Sequence, residues 1–136
     1  MSFQRVRISK DVTYRVRNLA GRLGLTPNII GRIGICLSLN DPSIPNAGMY
    51  DELGQEYGRY TLLGEWDRFF IAIVQERIVR DGLDPKKDFD SQLRAHLNRG
   101  VLYFCNRVRD LGDIHELLQS VPRNISLKEE RRDVEP

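Results

Sequence analysis

The chain has 136 residues, 29% of them charged, with a formal net charge of +2. That length suits one domain able to bury a core without disulfide or metal staples. Its longest purely apolar run, Phe69 to Val74, is far too short to cross a bilayer, and Met1-Ser2-Phe3-Gln4-Arg5 does not read as a signal peptide, so no membrane contact and a cytoplasmic location are expected.

In chain order, residues 3–8 read as a short strand, because Val6 and Ile8 alternate with Arg5 and Arg7. Phe3, Arg5 and Arg7 are expected to share one face, with Val6 and Ile8 turned toward the helices. Ser9 is a cap for a helix over residues 10–23, and Gly24 is its left-handed stop. At about 100° per residue, Val12, Val16, Leu19, Ala20 and Leu23 fall in one sector, and Lys10, Arg15, Arg17 and Arg22 fall outside it. Thr26 and Pro27 start a second helix that runs to about Leu39. It is apolar nearly all round, with Arg32 as its single charge. Such a helix needs cover on every side, which a second copy supplies most easily; Ile29, Ile30, Ile33 and Leu37 are the expected oligomer interface. Gly31 and Gly34 allow close helix approach.

Residues 40–60 read as loop. A third helix is expected from about Thr61 or Leu62 to Gly82, with Leu62, Leu63, Trp66, Phe69, Phe70, Ile73, Val74 and Ile78 as its core stripe. A fourth, over about 88–111, carries Leu93, Leu97, Val101, Phe104, Val108 and Leu111 at steps of three and four. Helical character resumes around Ile114 to Gln119. From Val121 onward eight of sixteen residues are charged, and a disordered tail over 121–136 is expected beyond a single domain over 1–120. The fold class is therefore mainly α: a compact helical domain with a short N-terminal strand and a ribbon-helix-helix-like start.

The charge is uneven. Residues 1–34 hold seven basic side chains and one acid, a balance of +6, against −4 for the remainder. A basic end on a nearly neutral chain attracts a polyanion directionally. Arg5, Arg7, Lys10, Arg15, Arg17 and Arg22 are the candidate DNA-binding residues, with Arg94, Arg99 and Arg107 of the fourth helix as the alternative surface. Tyr50, Tyr57 and Tyr60 flank Arg59 and read as packing before base stacking.

Signals for catalysis are weak. Gly21-Arg22-Leu23-Gly24 and Gly54 to Thr61 lack the length and the Lys-Ser/Thr ending of a phosphate-binding loop. Asp51, Glu52, Glu56, Glu65 and Asp67 cluster as nuclease carboxylates do, but no lysine or histidine lies between Lys10 and Lys86, and pairing with Arg59 and Arg68 is the simpler reading. His96 and His115 have no nucleophile at fixed spacing, and His96 reads as packing or surface. Cys36 and Cys105 lack zinc spacing and read as buried free thiols. No catalytic residue, metal or cofactor is expected.

Several stretches together resemble the DndE family of DNA phosphorothioation proteins: Arg5-Val6-Arg7-Ile8-Ser9, Gly24-Leu25-Thr26-Pro27-Asn28-Ile29, Tyr50-Asp51-Glu52 and Arg59-Tyr60-Thr61-Leu62-Leu63-Gly64-Glu65, then Asp81-Gly82-Leu83-Asp84-Pro85 and Gln92-Leu93-Arg94-Ala95-His96-Leu97-Asn98-Arg99-Gly100. The ordered set spans about residues 4 to 111. The resemblance implies a mostly helical tetramer that binds double-stranded DNA, prefers nicked duplex, and works beside the enzymes that replace a non-bridging phosphate oxygen with sulfur. It also implies contacts from the first helix and the glycine-bounded turn after it, at Arg15, Arg17 and Arg22. These are arginines where some lysines are expected, which keeps charge but alters contact geometry. The competing readings are a ribbon-helix-helix transcriptional repressor, a metal-dependent nuclease or ATPase, and an assembly subunit that never touches DNA.

Overall fold

A computed structural model describes residues 3–108 together with 115, 116 and 119. Strand β1 (Arg5–Arg7) alternates as expected, with Val6 buried between exposed Arg5 and Arg7. Its partner is the chain's own strand β2 (Glu56–Gly58), antiparallel, with Val6 opposite Tyr57. β2 lies inside the segment read as loop, where a single apolar residue offers no alternation. Phe3 does not share the arginine face: it is only 2% exposed and packs on Phe89, ring centroids 5.7 Å apart.

Helix α1 (Lys10–Leu23) begins and ends where its caps dictate. Ser9 Oγ accepts the Val12 amide at 3.1 Å, and Gly24 at φ 69° turns its amide back to the Ala20 carbonyl. Helix α2 (Pro27–Leu39) likewise starts on the Thr26 hydroxyl, which accepts the Ile29 amide. Its inner face buries Ile30, Gly31, Gly34, Ile35 and Ser38. Ile30 is fully covered by its own chain, so it is not available as an interface residue; Ile29 is exposed, and Ile33 and Leu37 are half-buried. Cys36 is exposed and Cys105 half-buried, so neither is the buried thiol expected.

The expected third helix is two. Helix α3 (Arg59–Leu63) stops at Gly64, whose φ of 56° and ψ of −140° suit glycine, and a tight turn leads into helix α4 (Asp67–Arg80). Arg32 makes the break specific: its Nε donates to the Leu62 carbonyl and its guanidinium covers Gly64, where a Cβ would lie 2.6 Å from Nη2. The break swings Trp66 and Phe69 outward, each 54% exposed, while Leu62, Leu63, Phe70, Val74 and Ile78 stay in the core. Ile73 is half-buried.

Helix α5 (Phe89–Arg107) runs through the middle of the molecule, burying Leu93, Leu97, Val101 and Phe104. It crosses α2 backbone to backbone. A Cβ on Gly100 would sit 1.6 Å from the Gly34 carbonyl oxygen, and one on Gly34 would sit 2.8 Å from the Val101 amide nitrogen. The fourth-helix residue Leu111 and the tail from Val121 lie outside the described residues; of the stretch around Ile114 to Gln119 only His115, Glu116 and Gln119 lie within them, and they are helical.

Two arginines serve the chain's own carbonyls at the end of α2 and in the turn that follows it. Arg77, 4% exposed, donates to Leu39 O and to Asp41 O at 2.8 Å, to Ser43 O at 2.7 Å and to the Asp81 carboxylate. Arg99 donates to Ser38 Oγ, Ser38 O, Ser43 O and Ser43 Oγ. The Tyr103 hydroxyl, together with Ser43, holds the Asp41 carboxyl well below the usual range.

His96, fully buried, pairs Nδ1 with Ser38 Oγ at 2.8 Å and has no partner at Nε2. It is a packing residue. Burial, reinforced by the Arg77 and Arg99 charges, pushes its pKa down to about 4. The folded state thus keeps a neutral imidazole at pH values where the unfolded chain already takes a proton. Stability is complete above about pH 6.5 and is lost as pH falls toward 4, by about 3 kcal/mol in all. Urea midpoints measured between pH 7 and 4 will show this decline, and His96→Gln will flatten it. The lowered carboxylates Asp41, Asp51, Asp67 and Asp84 add their own loss only at the acid end of that window and below it, as the unfolded carboxyls take up protons.

Candidate nucleic-acid interface

All six sequence-predicted basic residues, Arg5, Arg7, Lys10, Arg15, Arg17 and Arg22, are exposed. They fall into two groups with different electrostatics. On β1, Arg5 and Arg7 converge on Glu56 across the strand pair, at 3.1 and 3.5 Å, and Arg7 also donates to the Gly54 carbonyl at 2.8 Å. The acid cancels one of the two charges and fixes both side chains at the strand surface.

On α1, Val12, Thr13, Val16, Leu19 and Leu23 face inward, which leaves Lys10, Tyr14, Arg15, Arg17, Asn18 and Arg22 in solvent. Arg15 pairs with Asp11 one turn back, at 3.0 Å. Among the described residues, Lys10, Arg17 and Arg22 have no carboxylate in ion-pair range. Arg17 borders a cleft of about 380 Å³ between α1, the start of α2 and β2, lined also by Asn28, Tyr57 and Thr61. Burial raises the Tyr57 pKa, and the charge of Arg17 opposes that rise. The start of α1 is held by Asp51, whose carboxylate accepts the Lys10 amide at 3.0 Å and the Leu53 amide at 2.9 Å. Ser9 N donates to the side chain of buried Asn98 on α5 at 2.9 Å, so the helix start is fixed from both sides.

The alternative arginine surface on α5 is largely committed elsewhere. Arg99 is 8% exposed, and Arg94 donates to the Ala47 and Tyr50 carbonyls and pairs with Glu52. Arg107 alone of the three is exposed.

Four acids of the acid-rich stretch are likewise engaged in holding the fold, while Glu65 is exposed. Asp51 caps α1, Glu52 meets Arg94, Glu56 meets the strand arginines, and Asp67 takes a two-pronged bond from Arg59 at 2.8 Å that lowers its pKa. Of the two arginines expected to pair with this stretch, Arg59 makes a salt bridge; among the described residues none is formed by Arg68. No group of three or more His, Cys, Asp or Glu among the described residues is placed to hold a metal. No helix among them is long and apolar enough to cross a membrane. Of the tyrosines around Arg59, Tyr57 is buried and Tyr50 half-buried, while Tyr60 is 65% exposed with the Arg59 guanidinium 5.1 Å from its ring.

These features define a small helical protein whose first helix turns a net basic face, with Lys10, Arg17 and Arg22 unpaired among the described residues, to solvent. The chain matches the family model for the DNA sulphur modification protein DndE over residues 5–109, and it belongs to that family. Its fold is similar to the crystal structure of DndE from Escherichia coli B7A, involved in DNA phosphorothioation modification, with a TM-score of 0.64 at 20% identity over 76% of this chain and 98% of that one. It is also similar to a double glycine-to-lysine mutant of DndE involved in DNA phosphorothioation, with a TM-score of 0.60 at 19% identity and the same coverage. No curated protein matches the chain. A role in DNA phosphorothioation follows from the family.

Proposed function

We propose that this chain is a non-catalytic, DNA-binding subunit of the phosphorothioation system, which works as a homo-oligomer, a tetramer, and prefers nicked double-stranded DNA. The observation that carries the reading is the face of α1, where Lys10, Arg17 and Arg22 stand exposed and unneutralised at a helix whose start is pinned by Asp51 and Asn98. Cations on a rigid element meet phosphates at fixed spacing. Four of the five carboxylates that a nuclease reading requires, Asp51, Glu52, Glu56 and Asp67, are engaged in capping and ion pairs, which supports a binding role without chemistry. Arg5 and Arg7, tied to Glu56 in a sheet formed within the chain, flank this face rather than form a groove-reading ribbon of their own. The subunit acts in the cytoplasm beside the enzymes that install sulfur.

The outer flank of α2 supports assembly. Ile29, Ile33 and Leu37 lie outside the fully buried core, and Cys36 and Leu39 line a shallow cleft of about 240 Å³ with Phe69 and Ile73 of α4. A second copy of the chain covers this apolar surface in the proposed oligomer.

One experiment tests both parts. Gel shifts on intact, nicked and single-stranded DNA are run with the mass measured by sedimentation. Arg17→Glu/Arg22→Glu will weaken binding on every sequence, because phosphate contacts carry no base information. It will also flatten the salt dependence, by about 0.9 in slope for each phosphate left unneutralised. A folded double variant that binds as the unmutated protein does moves the surface off α1. A stable monomer removes the oligomer.

A further inference from the structure

We infer that Tyr14 is the residue that senses the break in the DNA, by stacking its ring on the nucleobase left open at a nick. The inference rests on the DNA-binding reading above and adds to it the ligand of one side chain. At about 100° per residue, Tyr14 falls opposite the middle of the buried stripe of α1, at the crest of the solvent face. It is 62% exposed, and it is the one large apolar side chain so exposed on this helix. Lys10 and Asp11 lie one turn before it, the Asp11 charge being offset by Arg15 at 3.0 Å, and Arg17 and Asn18 lie one turn after. Two turns after it comes Gly21, where an added Cβ would meet nothing within 4 Å, so the backbone beyond the ring is bare.

The charges decide what covers this ring. A second copy of the chain docking here would bring its own Lys10, Arg17 and Arg22 against the first set, and like charges at close range disfavour that arrangement. A polyanion satisfies the cations and offers flat aromatic faces to the ring. Within an intact duplex those faces are already stacked on one another, and a side chain outside the helix reaches only phosphates and base edges. A strand break lets one base separate from its neighbour, and its open face is what a tyrosine ring binds without regard to base identity. The cations therefore supply general affinity for duplex, and the ring supplies the difference between a broken and a sealed strand.

The test uses the full chain with two labelled duplexes of one sequence, one carrying a central nick and one sealed. Their affinities are measured by fluorescence anisotropy for the unmutated protein, Tyr14→Leu and Tyr14→Phe. Leucine keeps apolar bulk and helix propensity at an exposed site, so the fold is retained, which circular dichroism checks. The expected result is a loss of roughly ten-fold on nicked DNA for Tyr14→Leu, no change on sealed DNA, and retention of nick binding in Tyr14→Phe. Equal losses on both duplexes, no loss on either, or equal binding of both duplexes by the unmutated protein overturns the stacking role. Failure of the unmutated protein to bind either duplex overturns the DNA-binding reading beneath it.

Discussion

Gly100→Ala will destabilise the protein by about 3 kcal/mol or more, at the upper end of what overpacking a core does. The added carbon would lie 1.6 Å from the Gly34 carbonyl oxygen, in a place where the obstacle is backbone and no side chain can swing aside. The two central helices must separate, and Leu97 and Val101 on α5 are drawn away from α2 as they do. The sign makes the test sharp, because glycine to alanine inside a helix ordinarily stabilises by about 1 kcal/mol. Gly21→Ala, on the open face of α1, will show that ordinary gain. Urea unfolding of the two variants side by side will therefore move in opposite directions. A Gly100→Ala protein as stable as the parent would show that α2 and α5 do not cross backbone to backbone.

Arg77→Ala will have a comparable effect through a different cause. It leaves the Asp81 carboxylate buried without its partner, and it strips donors from the Leu39, Asp41 and Ser43 carbonyls. Removing one member of a buried ion pair costs about 3–5 kcal/mol. Arg77→Lys will recover little, because an ammonium on a single stem cannot reach these separated acceptors as a planar fork does. Thermal unfolding of both variants measures this. A lysine variant of parental stability would mean that charge alone, and not the fork, holds the turn after α2.

The parts of the fold legible in the sequence are those with local causes. Ser9, Gly24, Thr26 and Pro27 act on backbone groups within four residues of themselves, so the bounds of α1 and the start of α2 can be placed from the chain alone. β2 cannot, because Glu56-Tyr57-Gly58 pairs through its backbone with residues some fifty positions earlier and has no apolar alternation to mark it. The break at Gly64 is equally hidden. A single glycine inside an apolar pattern does not disclose that Arg32, on another helix, will bond the carbonyl of Leu62. Trp66 and Phe69 show the related limit: periodicity tells which residues share a stripe, and only the packed structure tells whether anything lies over it.

The candidate site follows the same division. The basic face of α1 is readable, since it depends only on the angle between side chains on one helix. The pairing of Arg5 and Arg7 with Glu56 is not, and it leaves α1 with the less compensated charge. Arg99 looks like a surface cation in the sequence and is an interior one, because the acceptors that justify its burial, Ser38 and Ser43, lie about sixty residues away.

The bond from Ser9 N to Asn98 joins residues 89 positions apart, at the threshold of the helix proposed to hold DNA. A chain leaving the ribosome emits Lys10, Arg15, Arg17 and Arg22 early, yet the bond that seats their helix waits for the first half of α5, up to Asn98. Such long-range closure is slow compared with local helix formation. The cationic segment therefore emerges first and acquires its fixed geometry late, so a nascent chain carries the charge for polyanions well before it carries the shape to select among them.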